Sequence, residues 1–114
     1  MIDWTRVETL RSELGQQDFE EIVQLFLEES ADVIARLRGD PSAARIEADL
    51  HFLRGSSMAL GFRTFSDLCE AGESLLASGR RDAVDLPAIL TAFDASKRMF
   101  LQGLPEVPAD QTSL

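Results

Sequence analysis

Four glycines, Gly15, Gly39, Gly61 and Gly79, punctuate a 114-residue chain whose intervening segments carry apolar residues at helical spacing. This punctuation constrains the fold more than any other feature. Glycine commonly closes a helix, and an apolar period near 3.6 defines one buried face. The spacing predicts helical segments from Asp3 to Leu14, from Asp18 to Gly39, on to about Leu60, from Thr64 to Gly79, and a fifth opening at Asp85. Asp18 with Glu21 three residues on resembles a capping box. The second segment then carries Phe19, Ile22, Val23, Phe26, Val33, Ile34 and Leu37. Asp40 and Pro41 supply an N-cap and a first-turn proline for the third, and Gly61 its C-terminal cap. Thr64 is expected to cap the fourth, whose stripe is Phe65, Leu68, Cys69, Gly72, Leu75 and Leu76. The fifth tolerates Pro87 in its first turn and has Leu86, Ile89, Leu90, Phe93, Phe100 and Leu101 on its apolar side. No segment alternates as a strand does, and tyrosine is absent. The expected fold class is all-α, an antiparallel up-down four-helix bundle with a short additional N-terminal helix covering one end. Residues 1–104 are expected to form this bundle. Residues 105–114, with Pro105, Pro108 and small polar residues, are expected to be a disordered tail.

A chain of this length makes one domain with a core that needs no staples. The single cysteine, Cys69, rules out an internal disulfide and fits a reducing compartment. No apolar run approaches the ~20 residues of a membrane span. The opening residues, Met1 to Glu8, lack the basic-then-apolar order of a secretion signal, so a cytoplasmic location is expected. Twenty acidic against 11 basic residues give a net charge of −9. Such a field repels nucleic-acid phosphates and anionic membranes, and solubility is sufficient reason for it.

The only histidine, His51, lies near the middle of the third segment. Ile46, Leu50, Leu53, Ser57 and Leu60 step by 4, 3, 4 and 3, and at about 100° per residue they fall within ~80° of one another. They form the core stripe. His51 lies roughly 140° from its centre and so faces solvent, with Glu47, Arg54, Gly55 and Met58 within ~60° of it. A lone histidine on a helix is most often a plain surface residue, and Arg54 has an ordinary reading as a solvated charge. Gly55 is harder to explain that way. Glycine in an exposed helix costs about 1 kcal/mol relative to alanine, and here no core packing asks for a small residue. A local departure from helix preference on a wet face points to function. Close approach by another macromolecule is the simplest reason.

The chemistry follows from those neighbours. A neutral imidazole nitrogen is a competent nucleophile toward phosphorus. The planar fork of Arg54, one turn on, suits the oxygens of a phosphoryl group. Nothing in the chain resembles a nucleotide-binding phosphate loop or a kinase glycine-rich loop. No second histidine or cysteine pair supports a metal site, and no nucleophile elbow supports a hydrolase triad. No cofactor is implied. The phosphoryl group would have to come from one protein and go to another.

The run His51-Phe52-Leu53-Arg54-Gly55-Ser56-Ser57-Met58-Ala59-Leu60-Gly61 resembles the signature of histidine-containing phosphotransfer (HPt) domains. There a histidine is followed by x-x-Lys-Gly-Ser-Ser and, a turn later, Leu-Gly. The likeness extends over about residues 3 to 104. It implies a four-helix bundle and phosphoryl transfer to and from aspartates of response-regulator receiver domains in a two-component phosphorelay, with any magnesium held by the receiver. His51 matches the phosphoacceptor and Gly55 the small docking position, with Met58 offering the partner apolar surface. Arg54 stands where lysine is usual. By spacing, Glu73 stands where members often carry a glutamine that bonds the ring, so Glu73 is either a His-orienting group or a solvated helix glutamate. The implied partners are receiver domains and a hybrid or chemotaxis-type histidine kinase, with no kinase activity in this chain, which is expected to act as a monomer. Two other readings stay open: the phosphoacceptor domain of a chemotaxis-type kinase, and a helical adaptor that binds a receiver without chemistry. The initiating Met1 and polar tail lean toward a free-standing protein.

Overall fold

The computed structural model describes residues 1–39 and 42–104. Among them the regular elements are α1 (Trp4–Leu14), α2 (Gln16–Arg38), α3 (Ala43–Ala59), α4 (Arg63–Ala77) and α5 (Leu86–Gly103), with one 3₁₀ turn at Arg81–Ala83. The regular elements of the described residues are all helical. The expected tail after residue 104 and the expected cap at Asp40-Pro41 lie outside the described residues.

α1, α3 and α5 each begin where a local side chain accepts from a free N–H donor. The Asp3 side chain accepts from the Arg6 N–H at 3.2 Å, Ser42 from that of Arg45 at 3.2 Å, and Asp85 from that of Ala88 at 3.1 Å. Two expected starts are corrected. α2 begins at Gln16, because Gly15, at φ +86°, turns the chain directly from α1 into α2. Asp18 is left in the first turn, where its charge favours the helix N-terminus. α4 begins at Arg63 without a side-chain cap from Thr64. Its first donors go instead to the start of the chain: Arg63 and Thr64 N–H both reach the Met1 carbonyl, at 3.1 and 3.4 Å.

That contact belongs to a larger latch. Asp3 N–H donates to the Gly61 carbonyl at 2.7 Å, Ile2 bridges Phe62, and the Arg6 Nε–H donates to the Ala59 carbonyl at 3.0 Å at the end of α3. Gly61 is required here on two counts. Its φ is +81°, and a Cβ would lie 2.7 Å from the Asp3 carbonyl oxygen.

The core runs the length of the helices and centres on Phe62, which is fully buried in the α3–α4 turn. Its ring meets Phe26 of α2 edge-on at 5.1 Å and Phe100 of α5 at 5.1 Å, and Phe93 joins Phe65 at 5.1 Å. Trp4 of α1 stacks on Phe100 at 6.0 Å, over a spot that Gly103 leaves open for the indole. The predicted α3 stripe of Ile46, Leu50, Leu53, Ser57 and Leu60 is buried throughout. Ile22, Leu68 and Leu101 sit at the edges of their stripes and are exposed.

α3 packs more closely on α4 than on any other helix. The reason is the side chains α4 turns inward: Ser66, Cys69 and Gly72 are buried beside Phe65. At Gly72 a Cβ would come within 2.8 Å of Leu50 of α3. This approach brings the polar edge of α4 up to the solvent face of α3.

Candidate functional site

α3 is held on both flanks of His51. On the α2 side, Asp49 is buried and accepts from Arg36 Nη2 at 2.9 Å. That bond is the main reason Arg36 holds its proton more tightly than a free arginine. On the α4 side, Arg54 Nε–H donates to Glu73 Oε2 at 2.5 Å, and the Ser66 hydroxyl donates to the Arg54 carbonyl at 3.3 Å. His51 projects between these two fastenings with 70 % of its side chain in solvent.

Glu73 is no solvated helix glutamate. Its side chain is only 16 % exposed, and the tight α3–α4 packing carries it to the imidazole. Oε1 lies 2.9 Å from His51 Nδ1, while Oε2 holds Arg54. One carboxylate therefore bridges the histidine and the cation. The hydrogen bond to Glu73, followed by the Glu73 charge, raises the Arg54 pKa above its usual value. Arg54 Nη2 also lies 3.1 Å from Nδ1. Arg54 was expected on the solvated face, but it leans toward α4 with its side chain 27 % exposed.

The three side chains thus form one cluster. Gly55 and Met58 stand apart from it on the open face. Gly55 has nothing within 4 Å of where a Cβ would sit, and Met58 is 57 % exposed. Phe52 beside His51 is exposed too, as are Ile22 and Leu25 of α2. On its own helix the histidine therefore has exposed Phe52 and Met58 and the bare turn at Gly55.

The pairing of Arg54 with Glu73 was not legible in the sequence, because it depends on the register of two helices. Ser66 was missed for the same reason. Opposite charges on both helices were visible, but not which ones meet.

A neutral imidazole carries one N–H. Nδ1 has both Glu73 Oε1 and Arg54 Nη2 within hydrogen-bond reach, and Nε2 has no protein partner among the described residues. Beneath the cluster Cys69 is fully buried. Burial, then the Glu73 charge, push its thiol up to about 12, so it remains a neutral packing group. Among the described residues no group of three or more His, Cys, Asp or Glu could hold a metal ion, and no helix is long and apolar enough to cross a membrane.

The family model described as Hpt domain matches residues 21–102, from the second turn of α2 to the last turn of α5. The chain belongs to the Hpt domain family. Comparison with curated proteins and with solved structures gave no match. Hpt domains are phosphocarrier modules of two-component signalling, in which a histidine passes a phosphoryl group within a phosphorelay and receivers and kinases are the partners. In this Hpt domain the match covers α2 to α5, and α1 lies outside it.

Proposed function

We propose that this Hpt domain accepts a phosphoryl group on His51 from a receiver-domain aspartate and donates it to another. The observation that carries the reading is the imidazole itself: largely in solvent, with Nδ1 beside Glu73 and Nε2 without a protein partner among the described residues. In the accepting step Nε2 attacks phosphorus, the N–P bond forms, and the P–O bond to the donor aspartate breaks. The aspartate leaves as a carboxylate. Positive charge develops on the ring at Nδ1–H, where the Glu73 carboxylate faces it. Arg54 is the cation available to the transferred oxygens. Gly55 lets the partner's backbone pass close to the ring, and Met58 supplies flexible apolar surface for it to cover. Donation to the next aspartate is the same step reversed.

The fold that serves this is an up-down antiparallel bundle of α2 to α5 with α1 laid against it, and residues 1–104 make the working unit. Short links at 60–62 and 78–85 support it. So does a cross-section of 21 × 21 Å, two helix diameters of about 10–12 Å each way. We place the protein in the cytoplasm as a monomeric carrier without kinase activity of its own. Its phosphoryl group originates in a hybrid or chemotaxis-type histidine kinase.

Incubation with a phosphorylated receiver should label the protein with an acid-labile, alkali-stable phosphate. His51→Gln should abolish the label while keeping the helical content. Label persisting on His51→Gln would overturn the reading, and binding of receivers without any transfer would favour an adaptor.

A further inference from the structure

The charge of this chain is unevenly placed. Residues 1–35 hold nine of its 20 acidic residues and two of its 11 basic ones, a net −7 out of −9. The rest of the chain is close to balance, with 11 acids and nine bases. Both cations of the acidic part are committed, for Arg6 reaches the Ala59 carbonyl and Arg11 is buried. On α2 the acids Asp18, Glu20, Glu21, Glu28, Glu29 and Asp32 are all exposed. Solubility asks for net charge, not for its collection on one helical hairpin.

Some of these acids share a face of α2 with apolar side chains. Asp18, Ile22, Leu25, Glu29 and Asp32 step by 4, 3, 4 and 3, and at about 100° per residue they fall within ~80° of one another. Ile22 and Leu25 are exposed. The next step of the series is Arg36, which bonds Asp49 of α3, so the stripe follows the α3 side of α2. It also runs past the end of α3. Phe26 meets Phe62 in the α3–α4 turn, and residues 16–25 rise beyond that turn by about 15 Å at 1.5 Å per residue. Asp18, Glu29 and Asp32 make no salt bridge among the described residues, so docking on them breaks no internal pair. From Arg36 to Ile22 the helix axis covers about 21 Å. A standard interface takes about 800 Å² from each partner, roughly 30 Å across. A partner seated on His51 therefore reaches the stripe as well.

Resting on the phosphocarrier reading of His51, we propose that the receivers served by this domain meet it with a cation-rich surface, and that the α2 stripe selects them. Ile22 and Leu25 supply the apolar area to be covered. Asp18, Glu29 and Asp32 flank it and set the sign of the partner. Complementary charge speeds encounter, and a like charge brought against a carboxylate rejects the wrong partner. The selection is carried by α2 alone, apart from the helix that holds the histidine. Sequence changes in the stripe thus alter which receiver docks without touching the chemistry.

The test is a binding titration of the unphosphorylated protein against a set of receiver domains chosen to run from acidic to basic around their phosphoacceptor aspartate. At low salt the basic receivers should bind about tenfold or more tighter than the acidic ones, and the gap should narrow as salt is raised. Glu29→Lys combined with Asp32→Lys should reverse the order. Glu29→Gln with Asp32→Asn should flatten it, and this pair replaces the lysine pair if the latter loses helical signal. Glu8→Gln with Glu13→Gln removes the same charge from exposed positions of α1 and should shift every affinity less than twofold. An affinity that ignores receiver charge, or stripe variants that behave like the α1 variant, would overturn the proposal. Labelling of His51 by phosphorylated receivers is measured apart from binding. Receivers that pass phosphate to His51 without following the charge order would sink the stripe and leave the carrier reading standing.

Discussion

At Gly55 the helix gives up stability where the fold asks for nothing small. A Cβ there would meet no atom within 4 Å, so a side chain is tolerated by the protein itself. Gly55→Gln should therefore raise stability by some tenths of a kcal/mol, since glutamine is the better helix former. On the proposed docking role it should also weaken receiver binding about tenfold, ~1.4 kcal/mol, because the side chain fills the open space beside His51. Thermal melts and binding titrations on one preparation check both signs. A variant that melts lower and binds normally would make Gly55 a packing residue. Gly61, six residues on, is the opposite kind of glycine, with a backbone oxygen in the way and a positive φ. Both look alike in the sequence. What separated them beforehand was position on the wheel, which put Gly55 beside His51 and Gly61 at a helix end.

At the scale of elements, α4 does two things for α3. Its small buried residues let the helices approach, and its edge delivers Glu73. The approach leaves Cys69 with no solvent, and the thiol, ordinarily 9.0, is pushed up to about 12. A thiol that ionises less readily when folded leaves stability intact below its unfolded pKa and removes it as pH climbs toward the folded value. The loss is about 1.4 kcal/mol per pH unit inside that window. The chain has no tyrosine and one lysine, Lys97, so few other groups titrate there. Urea midpoints of the wild type should fall between pH 9 and about 12, and those of Cys69→Ala should fall less steeply, from a lower starting value set by the cavity. Equal slopes would clear Cys69 of the effect. The helices themselves were legible because their punctuation is local: Asp3, Gly39, Gly61 and Asp85 each act on residues within a turn or so. Thr64 misled because its helix is capped from a distance by the Met1 carbonyl, and no spacing rule reports a partner so far away in the chain. Ile22, Leu68 and Leu101 misled by lying at stripe edges, where an apolar residue is as acceptable outside as in.

Over the whole molecule, the histidine face was readable because it lies on one helix, whereas the Arg54–Glu73 bridge and the N-terminal latch each join segments distant in sequence. Both non-local features serve the same helix. The latch closes the C-terminal end of α3 through Ala59 and Gly61, and the bridge steadies its middle. The latch also sets where the chain ends lie. Trp4 sits against Gly103 and stacks on Phe100, and the Ser96 hydroxyl lies 3.7 Å from Met1 Sδ. The first and last described residues therefore share one end of the molecule, and the 78–85 connection runs from the close of α4 to the start of α5. Chain order is then not essential to the site. A circular permutant that joins residue 104 to residue 1 by a short linker and opens in the 78–85 connection keeps α3 paired with α4 and Met1 beside Arg63. It should fold to the same helical content and accept phosphate on the same histidine, as circular dichroism and receiver labelling would check. An Hpt domain of this design can thus be inserted into a host protein through its α4–α5 loop, with residues 104 and 1 joined by the linker.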